Sequence, residues 1–82
     1  MGISVELSLY PLHESYKNII LNFVDQLRTH EHLSIKTNSM SSQIFGDYEV
    51  VMSILQKELK QVFEQPEMVV AVMKVVGKNL EA

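Results

Sequence analysis

Apolar and polar residues alternate strictly near the start of the chain. From Ile3 to Leu9 every second residue is apolar, and those between are polar. A period of two is typical of a strand that buries one face and exposes the other. Pro11 lacks a backbone donor and is expected to end this strand. The sequence therefore predicts a strand whose polar face is formed by Ser4, Glu6, Ser8 and, just beyond it, Tyr10.

Two longer segments repeat apolar residues with the period of a helix. The first begins after Ser15, a residue type that caps helices, and continues to about Thr29. The second follows Gly46 and Asp47 and continues to Phe63. Asp47 is expected to cap this second helix, and a cap at the rim of a sheet can also face a ligand. Two amphipathic helices follow from these patterns.

Three more segments predict strands. Residues 33–37 and a run from Met40 or Ser41 to Phe45 flank a turn-forming Asn-Ser pair, which predicts a hairpin. The run from Met68 to Val76 is apolar at almost every position, so periodicity does not assign its faces and both need a cover. Residues 78–82 carry no pattern and are expected to fray as a C-terminal tail.

The order of elements is therefore β-α-β-β-α-β within one domain over residues 1–77. This order is typical of the ferredoxin-like α+β fold, in which two helices cover one face of a four-stranded antiparallel sheet. Right-handed crossovers place the first and third strands in the centre. The covered face then takes the apolar residues of the first strand and Ile44. The open face presents the polar residues of that strand beside Ser41, Gln43 and Phe45.

Composition narrows the chemistry that the chain can perform. The 82 residues carry a net charge of −3 and include no cysteine, which excludes disulfides and thiolate chemistry. The seven Lys and Arg residues are scattered singly, so nucleic acid is not an expected partner. No apolar stretch approaches the about 20 residues that span a membrane, and no signal peptide is recognisable. We therefore expect a cytoplasmic protein without membrane contact.

Histidines and carboxylates form no recognisable catalytic or metal-binding motif. His30 and His32 are two residues apart at a helix end, where their side chains diverge. Glu6 stands alone on its strand, and the other glutamates do not pair at catalytic spacing. We therefore predict no metal, no cofactor and no catalytic residue.

The segment from Thr37 to Asp47 holds more donors and acceptors than a hairpin requires. Turn chemistry accounts for Asn38 and Ser39, but not for the polar residues that follow them within a strand. With the open face of the first strand, these groups suit a small polar aromatic ligand that is held by hydrogen bonds and ring stacking. A face that meets only solvent or another subunit is the alternative.

Residues 5–12 (VELSLYPL) and 37–48 (TNSMSSQIFGDY) resemble the YkoF-like family of thiamine and hydroxymethylpyrimidine binding proteins. The resemblance implies a ferredoxin-like fold, sheets that pair between subunits, and non-covalent binding without turnover. It implies a pyrimidine ring stacked on Phe45 or Tyr10, with Glu6 or Asp47 near the cationic thiazolium of thiamine. The candidate ligand-binding residues are Glu6, Ser8, Tyr10, Thr37, Asn38, Ser39, Ser41, Ser42, Gln43, Phe45 and Asp47.

Three functions remain open at this point. The first is a non-enzymatic protein that binds thiamine or its hydroxymethylpyrimidine moiety on the open sheet face, at a subunit interface. The second is a structural or regulatory homo-oligomer with no small-molecule ligand. The third is a cofactor-free α+β-barrel enzyme that acts on an aromatic substrate.

The last strand also predicts self-association. Four of its apolar side chains, each worth about 1.5–3 kcal/mol when buried, would remain in water on a lone subunit. That loss is comparable to the whole stability of a small domain. We therefore expect a dimer through sheet faces, or a tetramer of two such dimers.

Overall fold

The computed structural model describes all residues 1–82 and contains six helices and strands. They are β1 (Gly2–Pro11), α1 (Tyr16–Leu27), β2 (Ser34–Thr37), β3 (Ser42–Asp47), α2 (Tyr48–Phe63) and β4 (Val69–Val76). The strands form one sheet in the order β2-β3-β1-β4, and all neighbours are antiparallel. The predicted ferredoxin-like α+β fold is confirmed, with β1 and β3 in the centre.

The core lies between the helices and one face of this sheet. Val5 pairs with Ile44 across β1 and β3, and both side chains are almost completely buried. Leu27 of α1 and Leu55 of α2 pack into the same cluster at 0% and 1% exposure. The strict alternation of β1 decides this arrangement, because every second side chain then faces the helices. The polar residues between them are left on the open face.

The two helices begin and end for different reasons. The side chain of Asp47 accepts a hydrogen bond from the Glu49 backbone N–H at 3.2 Å, which confirms it as the cap of α2. Ser15 occupies the cap position of α1, but its side chain makes no capping bond, so that expectation is wrong. Helix α1 ends at Leu27 rather than about Thr29, because the N–H groups of Thr29 and His30 bond to carbonyls three residues back.

Residues 77–82 were predicted to be a frayed tail, but in the structure they lie against the sheet and bond to it. The Ser4 hydroxyl donates to the Lys78 carbonyl at 2.8 Å and accepts from the Leu80 N–H at 2.8 Å. Glu81 accepts a hydrogen bond from the Ser34 hydroxyl and lies 4.0 Å from the Lys36 ammonium. The segment therefore crosses the open face from β4 over β1 to β2, and we call Gly77–Ala82 the C-terminal strap.

Strand β4 lies at the sheet edge with apolar side chains on both faces. Val72 pairs with Ser8 and faces the open side, where it is 52% exposed. Val75 pairs with Val5 and faces the helix side, yet it is still 46% exposed. The helices therefore cover only part of this strand.

No helix in the chain is both long and apolar enough to cross a lipid bilayer.

Candidate ligand-binding site

The tip of the β2–β3 hairpin is a tightly bonded turn. The Asn38 side-chain oxygen accepts hydrogen bonds from the N–H groups of Met40 and Ser41 at 2.8 and 3.0 Å. The Asn38 N–H donates to the Ser41 carbonyl, and the Ser8 hydroxyl of β1 donates to the Met40 carbonyl at 3.3 Å. The turn chemistry predicted for Asn38 is confirmed, and the tip is fixed against the central strand.

A cavity of about 160 Å³ lies between this hairpin tip and α1, and we call it the hairpin-tip cavity. Its interior is apolar, with walls from Leu9 of β1 and from Ile20, Phe23 and Val24 of α1. Its rim is polar. Six of the predicted ligand-binding residues line it, namely Ser8, Thr37, Asn38, Ser39, Ser41 and Ser42.

Two of these residues do not lie on the open face, where the ligand was predicted. Ser42 pairs with Leu7 and Thr37 pairs with Ser42, so both belong to the helix side rather than to the open face. Ser42 is 8% exposed. The Thr37 hydroxyl accepts a hydrogen bond from the Arg28 guanidinium at 3.0 Å, which connects the hairpin to the end of α1. The pairing register decides these positions.

Glu6 is the central charged group of the open face. Lys74 of β4 lies directly opposite, and its ammonium is 3.2 Å from one carboxylate oxygen of Glu6. The Ser41 hydroxyl donates to the other oxygen at 3.1 Å. The hydrogen bond from Lys74, followed by that from Ser41 and the charge of Lys74, holds the pKa of Glu6 below its ordinary value of 4.5. Glu6 therefore stays ionised and links β4 to the hairpin tip.

A second cavity, of about 290 Å³, lies on the open face, and we call it the open-face cavity. Glu6, Gln43 and Phe45 line it, together with Leu80 of the strap. Phe45 is only 7% exposed, and the Lys36 ammonium lies 5.7 Å from its ring centroid. The ring is therefore not the free stacking surface that was expected.

Tyr10 and Asp47 line neither cavity. Tyr10 is 52% exposed beside Val70 at one end of the sheet. Asp47 pairs with Gly2 at the other end, and the six-residue rise from Gly2 to Ser8 corresponds to about 20 Å. The N-terminal ammonium, 3.1 Å away, hydrogen-bonds to Asp47 and lowers its pKa below 3.8. The structure does not bring Asp47 and the hairpin tip into one site.

The histidines take part in local contacts. His30 lies 3.7 Å from the buried carboxylate of Glu58, and His13 accepts a hydrogen bond from the Ser15 N–H. Nowhere in the chain do three or more His, Cys, Asp or Glu side chains converge as metal ligands.

Three residues near the open-face cavity were missed as site residues from the sequence. The sequence did indicate Lys74, because it is the one charged residue of β4. It pairs with Glu6, so both side chains lie on the open face. Ser4 was predicted to lie on the open face, but no sequence pattern indicates its two hydrogen bonds to the strap. Leu80 had no signal, since the strap has no periodic pattern.

The fold and the hairpin together define a ferredoxin-like domain with a polar turn beside an apolar cavity. Residues 3–76 match the sequence profile of the YKOF-related Family, and the chain belongs to that family. No curated protein matches the chain in sequence.

Solved structures share the fold at low sequence identity. A protein of Streptococcus pneumoniae superimposes with a TM-score of 0.86 at 21% identity, over 98% of this chain and 90% of that one. A Thermotoga maritima protein, provisionally named for thiamine biosynthesis or salvage, gives 0.84 at 11% identity, over 95% and 85%. A hypothetical protein of Methanocaldococcus jannascii gives 0.79 at 18%, over 99% and 84%.

Proposed function

We propose that the chain is a non-enzymatic binding protein for thiamine or its hydroxymethylpyrimidine moiety. The observation that carries this proposal is the hairpin-tip cavity, where six predicted polar residues surround an apolar interior. Small-molecule sites commonly combine apolar walls with a few placed polar groups. Membership of the YKOF-related Family and the provisional name of the Thermotoga maritima neighbour agree with it.

The cavity offers the chemistry that an aminopyrimidine needs. The hydroxyls of Ser39 and Ser42 can each donate and accept, and the Ser8 hydroxyl, which donates to the Met40 carbonyl, can still accept; this set matches an exocyclic amine and ring nitrogens. The Asn38 oxygen is occupied by the turn, so its amide donors remain for a ligand. The faces of the ring would pack against the apolar wall from α1. Hydroxyls and an amide suit binding rather than acid-base turnover.

Thiamine and the free pyrimidine differ by a cationic thiazolium. Glu6 is hydrogen-bonded to Ser41 at the hairpin tip, but Lys74 already balances its charge. The thiazolium therefore gains little there. We expect the shared pyrimidine ring to supply most of the affinity, and the two ligands to bind with dissociation constants within about tenfold of each other.

Calorimetric titration of the full chain with each compound tests the proposal. Ser42→Ala removes a hydroxyl from the hairpin-tip cavity, whereas Gln43→Leu removes the amide from the open-face cavity. We expect the first to weaken binding by about tenfold and the second to leave it unchanged. The opposite result would move the ligand to the open face.

Thermal unfolding provides the companion measurement. A ligand at about 100 times its dissociation constant stabilises its protein by about 2.7 kcal/mol. The absence of both heat and a thermal shift at millimolar thiamine and pyrimidine would contradict ligand binding. Release of a product from thiamine would instead favour an enzyme.

We also propose that two copies of the chain pack their open sheet faces together. Val70, Val72 and Val76 are 44%, 52% and 41% exposed on that face, and Tyr10 extends the same patch. Burial of such side chains is favourable by about 25 cal/mol per Å². This assembly would leave the hairpin-tip cavity at the border of the interface.

A further inference from the structure

The C-terminal strap is seated on the buried hydroxyl of Ser4. This residue is 7% exposed, and its oxygen holds the strap backbone from two sides, at Lys78 and Leu80. Gly2 allows the strap to approach closely, since a Cβ added there would lie 3.1 Å from the Asn79 Cβ. The strap therefore lies on two residues of β1, Ser4 on its polar face and Gly2, which has no side chain.

The strap covers one end of the surface that face-to-face packing requires. Leu80 and Phe45 line the same cavity as Val76, and Glu81 reaches Ser34 on the far strand. The segment passes over three strands on the open face. A second copy that lies flat on the whole sheet would occupy the same space.

Few contacts hold the strap in place. Apart from the two bonds to Ser4, its polar links to the sheet are the contacts of Glu81 with Ser34 and Lys36. Leu80 remains 58% exposed. Ordering six residues opposes these contacts, because every fixed backbone unit loses conformational entropy. The closed strap is therefore a state that a competing surface can displace.

The charge pattern of the open face fits a second copy of the same chain. Glu6 and Lys74 lie opposite each other on adjacent strands, so the centre of the face is neutral and holds one charge of each sign. Two such faces related by a two-fold axis can place unlike charges together. The valines of β4 supply the apolar part of the contact.

We propose that the C-terminal strap is an intramolecular competitor of self-association. In the closed state it covers the end of the open face, and in the open state it frees that face for a second copy. The proposal rests on the face-to-face assembly proposed above. The apparent affinity of association then depends on the fraction of chains with an open strap.

A reversible covalent tether tests this directly. The chain has no cysteine, so Gly2→Cys with Asn79→Cys introduces a single pair. The 3.1 Å separation of the two Cβ positions is a few tenths of an ångström below the range of disulfides, which a small shift of Asn79 supplies. The full chain is measured by sedimentation over micromolar to millimolar concentration, first oxidised and then reduced. We expect oxidation to weaken dimerisation by about tenfold or more.

Controls separate the strap from other effects. Asn79→Cys alone detects disulfides between chains. Ser4→Ala, which removes the seat without a tether, is expected to tighten dimerisation several-fold, whereas Ser53→Ala on an exposed face of α2 leaves it unchanged.

Equal association of the oxidised and reduced forms would overturn the competition while leaving the assembly intact. Monomers at every concentration in both forms would overturn the competition together with the assembly. Thiamine and pyrimidine titrations of the same samples report on the ligand separately, so failure of the strap and failure of the binding function are distinguishable.

Discussion

At the scale of single residues, Glu6 makes the free energy of unfolding depend on pH, and the sign of this dependence follows from its hydrogen-bonding partners. Lys74 and Ser41 hold the pKa of this carboxyl below 4.5 in the folded chain. The stabilisation is therefore fully present above about pH 4.5 and is lost as the pH falls through the folded pKa. Lys74→Met removes the largest cause of the lowering.

We expect NMR titration of Lys74→Met to show the pKa of Glu6 rising toward 4.5. The difference in unfolding free energy between parent and variant should be largest near neutral pH and shrink in acid. Lys57→Met, at an exposed position of α2, is the matched control and should leave the Glu6 pKa unchanged. An unchanged Glu6 pKa in Lys74→Met would show that the ion pair does not form in solution.

Gly46 of β3 has no side chain, which allows Val51 of α2 and the backbone of His32 to pack close to it. A Cβ at this position would lie 3.1 Å from a methyl of Val51 and 3.3 Å from the His32 carbonyl. Gly46→Ala should therefore cost about 1–3 kcal/mol of stability through overpacking, measured by chemical unfolding. Gly77→Ala is the matched control, because its Cβ would meet only the end of Met1 at 3.8 Å. Equal effects of the two substitutions would contradict the steric argument.

At the scale of elements, the two helix caps offer a direct comparison. Asp47 bonds to the Glu49 N–H at the start of α2, whereas Ser15 makes no such bond at α1. Asp47→Ala should lower the free energy of unfolding by about 1 kcal/mol, and Ser15→Ala should change it little. Asp47→Asn keeps a capping oxygen and removes the ion pair with the N-terminus, so it isolates the cap. A loss in Ser15→Ala equal to that in Asp47→Ala would contradict the assignment.

The elements that could be predicted are those with a strong period. The alternation of β1 is strict, so it was enough to separate core residues from open-face residues such as Glu6. The hairpin was predicted as well, with Gln43 on the open face, but the ligand was predicted on that face, whereas the hairpin-tip cavity is lined from the helix side by Thr37 and Ser42. Their placement depends on the pairing register with β1, and a shift of one residue would reverse it. The sequence therefore identified the polar segment, while the cavity that it lines needed the structure.

At the scale of the whole molecule, contacts between segments that are distant in sequence determine which part of the open face stays accessible to a ligand or a second copy. The strap bonds to Ser4 across a separation of 76 residues, at Leu80, and no local pattern announces such a contact. Phe45 illustrates the consequence, since its position on the open face was predicted but its burial was not. The open face, which was predicted to be free for a ligand, is therefore partly covered by the strap. Its exposed remainder lies along β4.

The last prediction concerns this exposed remainder and uses two valines of the same strand. Val72 and Val75 are 52% and 46% exposed but lie on opposite faces of the sheet. Packing through open faces buries the first and not the second, so Val72→Asp should abolish self-association in light scattering while Val75→Asp preserves it. Because a substitution can affect stability differently on the two faces of a sheet, chemical unfolding of both variants accompanies the light scattering and separates loss of the interface from loss of the fold. If both substitutions weaken association equally, β4 pairs edge to edge instead of face to face. A stable particle of about 9 kDa for the parent chain at every concentration from micromolar to millimolar would contradict the assembly itself.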